Sequence, residues 1–157
     1  WRYTLQRIPG FIALFFIFVH IATLRCGWTF GILDTPFYLN ADGQPLAAAT
    51  TAMALQHSPW VVLLYVLGVF SVVYHWANGL WTAAITWGLT LSVAAQKRWG
   101  YACLGLGIVL SIFSAGAIVG ALQYEVSEKE RALVEHLKTG QINTPHQVII
   151  PQDHQTH

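Results

Sequence analysis

The chain has 157 residues, of which 55% are hydrophobic and only 10% are charged, and its formal net charge is +1. Soluble domains carry about 25% charged residues, so this composition excludes an ordinary soluble domain and favours a membrane protein. The sequence has no basic run long enough to bind nucleic-acid phosphates, so nucleic acid is excluded as a partner.

The first apolar stretch follows a short polar and basic segment, WRYTLQR at residues 1–7. We predict a membrane span at about residues 8–28, with Pro9 in its first turn. His20 lies inside this span. At helical spacing, Gln6, Phe16 and His20 fall near one face.

Residues 28–58 form the longest predicted connection, and they contain turn residues such as Asp34-Thr35-Pro36. The segment Leu46 to Leu55 is predicted to form a short helix that packs against the bundle at the interface. His57 precedes the next span and is interpreted as an interfacial residue.

The second predicted span, residues 59–90, contains no charged residue and is long enough to cross a bilayer as one helix. His75 lies deep inside it, and an ionisable side chain in a membrane helix is a functional-site hypothesis. One face of this helix carries small or weakly polar residues: Gly68, Ser71, His75, Gly79, Thr82 and Thr86. Such a face leaves room for a flat group such as a b-type haem held by imidazole. It is equally typical of close helix packing, with the histidine as a hydrogen-bonding residue.

A short basic turn, Gln96-Lys97-Arg98, is predicted before the third span at about residues 99–124. The glycine pair Gly116 and Gly120 indicates packing, and with no histidine this helix should supply no ligand. The predicted fold is thus an all-α membrane protein, with three transmembrane helices in residues 1–124 forming part of a haem-binding helix bundle.

Residues 125–157 form a predicted extramembrane tail. Ser127 and Glu130 resemble a capping box, which predicts a short surface helix from Glu128 to Lys138.

Positive charge indicates the topology. Arg2, Arg7, Lys97 and Arg98 gather at two places, whereas the 28–58 loop has no Lys or Arg. By the positive-inside rule, the N-terminus and the 96–98 segment face the cytoplasm. The 28–58 loop and the C-terminal tail then lie outside the cell's inner membrane.

The two span histidines are predicted to lie at different depths. A rise of about 1.5 Å per residue puts His20 roughly 18 Å from the inner boundary. In a hydrocarbon core of about 30 Å, His75 lies about 9 Å from the same boundary. Two haems therefore fit better than one haem clamped by both side chains, and each iron needs a second ligand from elsewhere.

Two segments carry a family resemblance. They are RYTLQRIPGFIALFFIFVHIATLR at residues 2–25 and VVYHWANGLWTAAITWG at residues 72–88, the latter with the pattern H-x-x-x-G-L-W-x-x-x-x-x-W-G. Both resemble the cytochrome b558 membrane anchors of succinate dehydrogenases and fumarate reductases. The resemblance covers residues 1 to about 123 and matches the last three of that family's five helices.

The resemblance implies two b haems, each taking one histidine from this part of the subunit. His20 would ligate the iron of the outer haem and His75 that of the inner haem. The missing ligands are expected from helices that precede Trp1 or from a partner chain. The cofactor-binding residues would be His20, His75, Gln6, Arg7, Phe16, Gly68, Ser71, Gly79 and Thr82.

The implied function is electron transfer between a quinone pool and an iron–sulfur subunit, with the succinate chemistry on a separate flavoprotein. The chain itself would be a non-catalytic subunit, and we assign it no catalytic residue. One alternative is a cytochrome b anchor of another oxidoreductase, such as a hydrogenase or formate dehydrogenase. The other is a non-redox membrane scaffold in which both histidines only pack.

Overall fold

A computed structural model describes residues 2–26 and 46–138, which form five helices. They are α1 (Arg2–Cys26), α2 (Ala47–His57), α3 (Pro59–Thr86), α4 (Val93–Gln123) and α5 (Glu128–Lys138). Three are long and apolar enough to cross a membrane, over Thr4–Leu24, Pro59–Thr86 and Val93–Gln123. With no strand in either described stretch, the predicted all-α membrane fold is confirmed. The predictions for residues 28–45 and for the tail from 141 onward lie outside the described residues.

The first helix is longer at its start than predicted. It begins at Arg2, so Pro9 lies inside the helix and not in its first turn. A proline removes one backbone hydrogen bond, which membrane helices tolerate when neighbouring helices bond to the freed groups. The turn around Pro9 is where α1 meets α3 most closely through polar groups.

The helices α1 and α3 pack antiparallel. Gln6 hydrogen-bonds Asn78. Further along α1, Phe16 lies against Gly68. Later residues of α1 therefore contact earlier residues of α3, as expected for antiparallel helices. This register places the start of α1 beside the last third of α3.

The basic segment at residues 96–98 is helical, so its prediction as a turn is wrong. The turn lies earlier, because Gly88 takes a positive φ of 71° and ends α3. Ser92 then caps α4, its Oγ accepting a hydrogen bond from the Ala95 N–H at 3.1 Å. Lys97 and Arg98 are good helix formers, and they lie in the first turns of α4.

The short helix α2 packs where α3 begins and α4 ends. Ala49, Ala52 and Leu55 are buried on its inner face, as expected for a helix held by the bundle. Leu55 belongs to a buried cluster with Val19 of α1 and Val61 of α3. At the end of α2, the amide of Gln56 donates to the carbonyls of Ala121, Leu122 and Tyr124 at 3.3, 3.2 and 2.8 Å. These contacts are with carbonyls at the end of α4, where the usual helical donor four residues further on is missing.

The predicted capping box at α5 is confirmed. The Glu130 N–H donates to Ser127 Oγ at 3.2 Å, and the Ser127 N–H donates to Glu130 Oε2 at 3.0 Å. The Ser127 hydroxyl also donates to that carboxylate at 2.8 Å. These bonds lower the pKa of Glu130 from its ordinary value, and the bond from the Ser127 hydroxyl has the largest effect.

We expect Ser127→Ala to loosen the start of α5. Loss of such a cap costs about 1 kcal/mol, which corresponds to roughly fivefold faster exchange of the first-turn amides. The pKa of Glu130 is lower in the folded protein than in the unfolded chain. Ionised Glu130 therefore stabilises α5 at a pH above its unfolded-state pKa, and this stabilisation is lost as the pH falls through its folded-state pKa. Hydrogen exchange read by mass spectrometry, as protection factors between pH 3 and 7, measures both effects.

Glu128→Gln is the matched control, since Glu128 lies in the same first turn. It should change protection less than Ser127→Ala does. Equal effects of the two substitutions would contradict a specific capping role for Ser127.

Candidate functional site

The imidazole of His75 lies directly over α1. Its Nδ1 is 3.1 Å from the backbone carbonyl oxygen of Gln6. A carbonyl oxygen only accepts hydrogen bonds, so Nδ1 carries the proton and donates. The neutral ring then keeps a lone pair on Nε2, which is the form that binds a metal ion.

The position of this ring depends on Gly10. A Cβ added at Gly10 would meet His75 Cε1 at 2.8 Å and Nδ1 at 2.9 Å. The absence of a side chain at residue 10 is therefore what lets the imidazole approach the α1 backbone.

Gln6 braces the same region from its side chain. Its Nε2 donates to the His75 carbonyl at 3.3 Å, and its Oε1 accepts from the Asn78 amide. Gly79 is adjacent, where an added Cβ would be 3.4 Å from Gln6 Nε2. Gln6 thus contacts His75 through both its backbone and its side chain, and these contacts hold the imidazole in place.

His20 lies in a different, more aromatic setting. Its Nδ1 is 3.2 Å from the hydroxyl of Tyr65 on α3. The Phe16 ring stacks on the imidazole at 5.6 Å between centroids, and the Tyr65 ring meets it edge-on at 5.8 Å. A hydroxyl can donate or accept, so His20 can bind a metal through Nε2 when its Nδ1–H donates to Tyr65.

The two histidines do not converge. His75 lies level with Gly10 on α1, and His20 is ten residues further along that helix. Ten residues correspond to about 15 Å along the axis, which is more than the 9 Å expected from the sequence. One iron must lie within a bond length of each ligand nitrogen, so this spacing favours two separate iron sites.

The predicted small-residue face of α3 is partly occupied by α1. A Cβ at Gly68 would lie 2.2 Å from Cγ and Cδ2 of Phe16, so Gly68 provides the space for that ring. Ser71 is half-buried, whereas Thr82 and Arg7 are exposed. The Thr82 hydroxyl donates to the Asn78 carbonyl at 2.9 Å. Contacts of these residues with a cofactor stay predictions.

Sequence reasoning missed Tyr65 and Asn78. Both are polar side chains in a span with no charge, where a hydrogen-bonding group needs a protein partner. Their polarity within the span was the available signal. Their partners, His20 and Gln6, become clear only from the antiparallel register of α1 and α3.

The available donors suit a haem better than a metal cage. No group of three or more His, Cys, Asp or Glu side chains comes together within residues 2–26 and 46–138. What those residues offer is single imidazoles, each with Nδ1 near a hydrogen-bonding oxygen. A haem needs only one such axial imidazole from each side, because the porphyrin supplies the other four ligands.

Comparison with known proteins identifies the relationship. No family model matches the chain, and no solved structure matches it either. The chain is 30% identical over 118 residues to the succinate dehydrogenase cytochrome b558 subunit of Bacillus subtilis (strain 168). The match covers 75% of this chain and 52% of that protein, so the chain spans about half the length of its relative. The resemblance predicted from residues 2–25 and 72–88 is thereby confirmed: this multi-pass membrane chain is a relative of the succinate dehydrogenase cytochrome b558 subunits.

Proposed function

We propose that this chain is part of the haem b membrane anchor of a succinate dehydrogenase or fumarate reductase, and that it conducts electrons between a quinone and an iron–sulfur subunit. The observation that carries the proposal is the pair of anchored imidazoles at two depths. His75 donates through Nδ1 to a backbone carbonyl, and His20 lies about 15 Å away along α1 beside Tyr65.

In this proposal His75 ligates the inner b haem and His20 the outer one, each through Nε2. Gln6 orients His75, and Tyr65 orients His20. A bound haem would supply one-electron redox chemistry, and the imidazoles that held it would tune its potential. The apolar side chains around both histidines exclude water and keep the electron within the protein.

The second ligand of each iron comes from helices outside this chain's described residues. His20 and His75 are both only half-buried, so part of each ring is open to another helix. Further helices of the subunit, or of a partner chain, would cover the open part of each ring and contribute the opposing histidines.

The same geometry supports the proposed membrane orientation. The His75 end of the bundle is the end that carries Lys97 and Arg98, because Trp81, less than two turns after His75, donates to the Gln96 carbonyl at 3.2 Å. Positive charge marks the cytoplasmic side, so the inner haem would face the iron–sulfur subunit and the flavoprotein there. The end of the bundle that carries α2 would lie on the outer side of the cell's inner membrane.

Purification of the chain from its native membrane tests this function. We expect an iron–sulfur protein and a flavoprotein to copurify, and succinate to elicit a reduced b-haem spectrum. Mass spectrometry that found hydrogenase or formate dehydrogenase subunits instead would support the alternative anchor. A preparation with no haem Soret band would mean a non-redox scaffold.

We expect Tyr65→Phe to raise the midpoint potential of the haem at His20. A hydrogen bond from Nδ1–H makes the imidazole a stronger donor and favours ferric iron, so its loss favours ferrous iron. A bond worth about 0.5–1.5 kcal/mol corresponds to roughly 20–60 mV for one electron. Potentiometric titration followed optically measures the shift.

Tyr101→Phe is the matched control, since Tyr101 is exposed by 68% on α4. It should leave both potentials unchanged. An unchanged or lowered potential in Tyr65→Phe would contradict the assigned hydrogen-bond direction.

A further inference from the structure

A groove runs between α3 and α4, on the far side of α3 from Gln6 and Gly10. Its deeper part has a volume of about 460 Å³ and extends to Ser111. Its outer part, of about 380 Å³, reaches Lys97. The two parts share Trp81, Gly100 and Leu104 as lining residues, so they adjoin each other along α4 on either side of the Trp81 indole, which packs against Gly100.

The groove has the length of one membrane leaflet. Lys97 and Ser111 are 14 residues apart on α4, which corresponds to about 21 Å. Half of a hydrocarbon core of about 30 Å is about 15 Å, and the remainder falls in the headgroup region. A chain lying in the groove would therefore run from the membrane surface to the middle of the bilayer.

The deep part of the groove suits an apolar occupant. Its small lining residues Ala77 and Gly107 face each other closely and form the floor of the groove, since a Cβ at Gly107 would lie 3.3 Å from the Ala77 Cβ. Two of the polar lining groups are bonded within the protein: Ser111 donates to the Gly107 carbonyl at 2.8 Å, and Asn78 donates to Gln6. Tyr74 also lines this part, and most of the other lining residues are apolar. An acyl chain, which needs no hydrogen bond, suits such a lining.

The outer part of the groove suits a negatively charged group. Lys97 and Gln96 line it together with Tyr101, and the Lys97 side chain is exposed. Aromatic residues of this kind lie at the headgroup level, and basic pockets between membrane helices attract anionic lipids.

We propose that the α3–α4 groove binds one anionic glycerophospholipid, with its phosphate beside Lys97 and an acyl chain extending toward Ser111. Charge at one end and apolar recesses that together extend over about one leaflet select this occupant. The lipid would lie along the seam between α3 and α4, and its binding does not depend on the haem assignment.

Lipid retention by the purified complex tests this site. The complex is delipidated by detergent exchange, equilibrated with equal amounts of phosphatidylglycerol and phosphatidylcholine in mixed micelles, and re-isolated. Bound lipid and quinone are then counted by mass spectrometry. We expect preferential retention of phosphatidylglycerol, and Lys97→Gln should reduce that preference about fivefold. Ser111→Phe, which fills the deep end, should reduce retention of both lipids.

Matched controls separate the site from general lipid contact. Lys129→Gln removes a charge on α5, and Ile112→Phe enlarges an exposed α4 residue outside the groove; neither should change retention. The optical spectrum of each variant reports whether the complex is still assembled. Equal retention of the two lipids, or equal effects of Lys97→Gln and Lys129→Gln, would overturn the proposal. It would also be overturned if Ser111→Phe removed quinone instead, or if the Leu104→Cys variant cross-linked to another polypeptide through its new thiol.

Discussion

Gly68→Ala is expected to destabilise the complex and to weaken the haem site at His20. The added Cβ would lie 2.2 Å from the Phe16 ring and 2.7 Å from the Phe16 Cβ, so the clash involves the rigid base of that side chain. Such overpacking costs about 1–3 kcal/mol, and it would displace the ring that stacks on His20. Thermal unfolding in detergent should occur several degrees lower, and the haem signal that His20→Ala abolishes should decline.

Gly116→Ala is the control for this substitution. Among residues 2–26 and 46–138, a Cβ at Gly116 would meet no atom within 4 Å, so the same change in helix propensity occurs without a clash there. Gly116→Ala should retain full stability and both haems. If Gly68→Ala behaved like Gly116→Ala, the close packing of α1 on α3 at Phe16 would be wrong.

Gly10→Ala is expected to act on the other haem. Its Cβ would come within 2.9 Å of the His75 ring, and the ring could move only by lengthening its bond to the Gln6 carbonyl. Loss of that bond would raise the midpoint potential of the haem at His75 and reduce its occupancy, because the imidazole would be a weaker donor in a less fixed position. Potentiometric titration and haem quantification measure both effects.

The control for Gly10→Ala is the haem proposed at His20 in the same variant. That haem should be unaffected, since Gly10 is ten residues away from His20 along α1. A variant that lost both haems equally would indicate general misfolding of α1. A variant with both haems and unchanged potentials would contradict the contact between His75 and the α1 backbone.

The span helices were predictable because their signal is local. A charge-free stretch such as residues 59–86 has no stable place outside lipid or a protein core, so its length and composition suffice. The start of α4 was missed because Lys97 and Arg98 were interpreted as a turn. Gly88 and Ser92 are the better local signals, a glycine that ends one helix and a serine that caps the next.

The surroundings of the site were less predictable than the histidines themselves. His20 and His75 are conspicuous because titratable groups are rare in spans. Their partners depend on the register of α1 against α3, which is set by the fit of Phe16 over Gly68 and of His75 over Gly10. Such a fit is a property of two surfaces together, so the sequence of either helix alone does not reveal it. The contacts of Gln6 with His75 and Asn78 depend on this register too, and the prediction of Gln6 as a cofactor contact stays a prediction.

The most direct test of the proposed two-site arrangement is the haem content of the purified complex with His20→Ala, with His75→Ala and with both. We expect two b haems per chain in the unaltered complex, one in each single variant and none in the double variant. His57→Ala, an exposed residue at the end of α2, should retain both. If the unaltered complex held a single haem that either substitution abolished, His20 and His75 would share one iron, and the proposal of two sites about 15 Å apart along α1 would be contradicted.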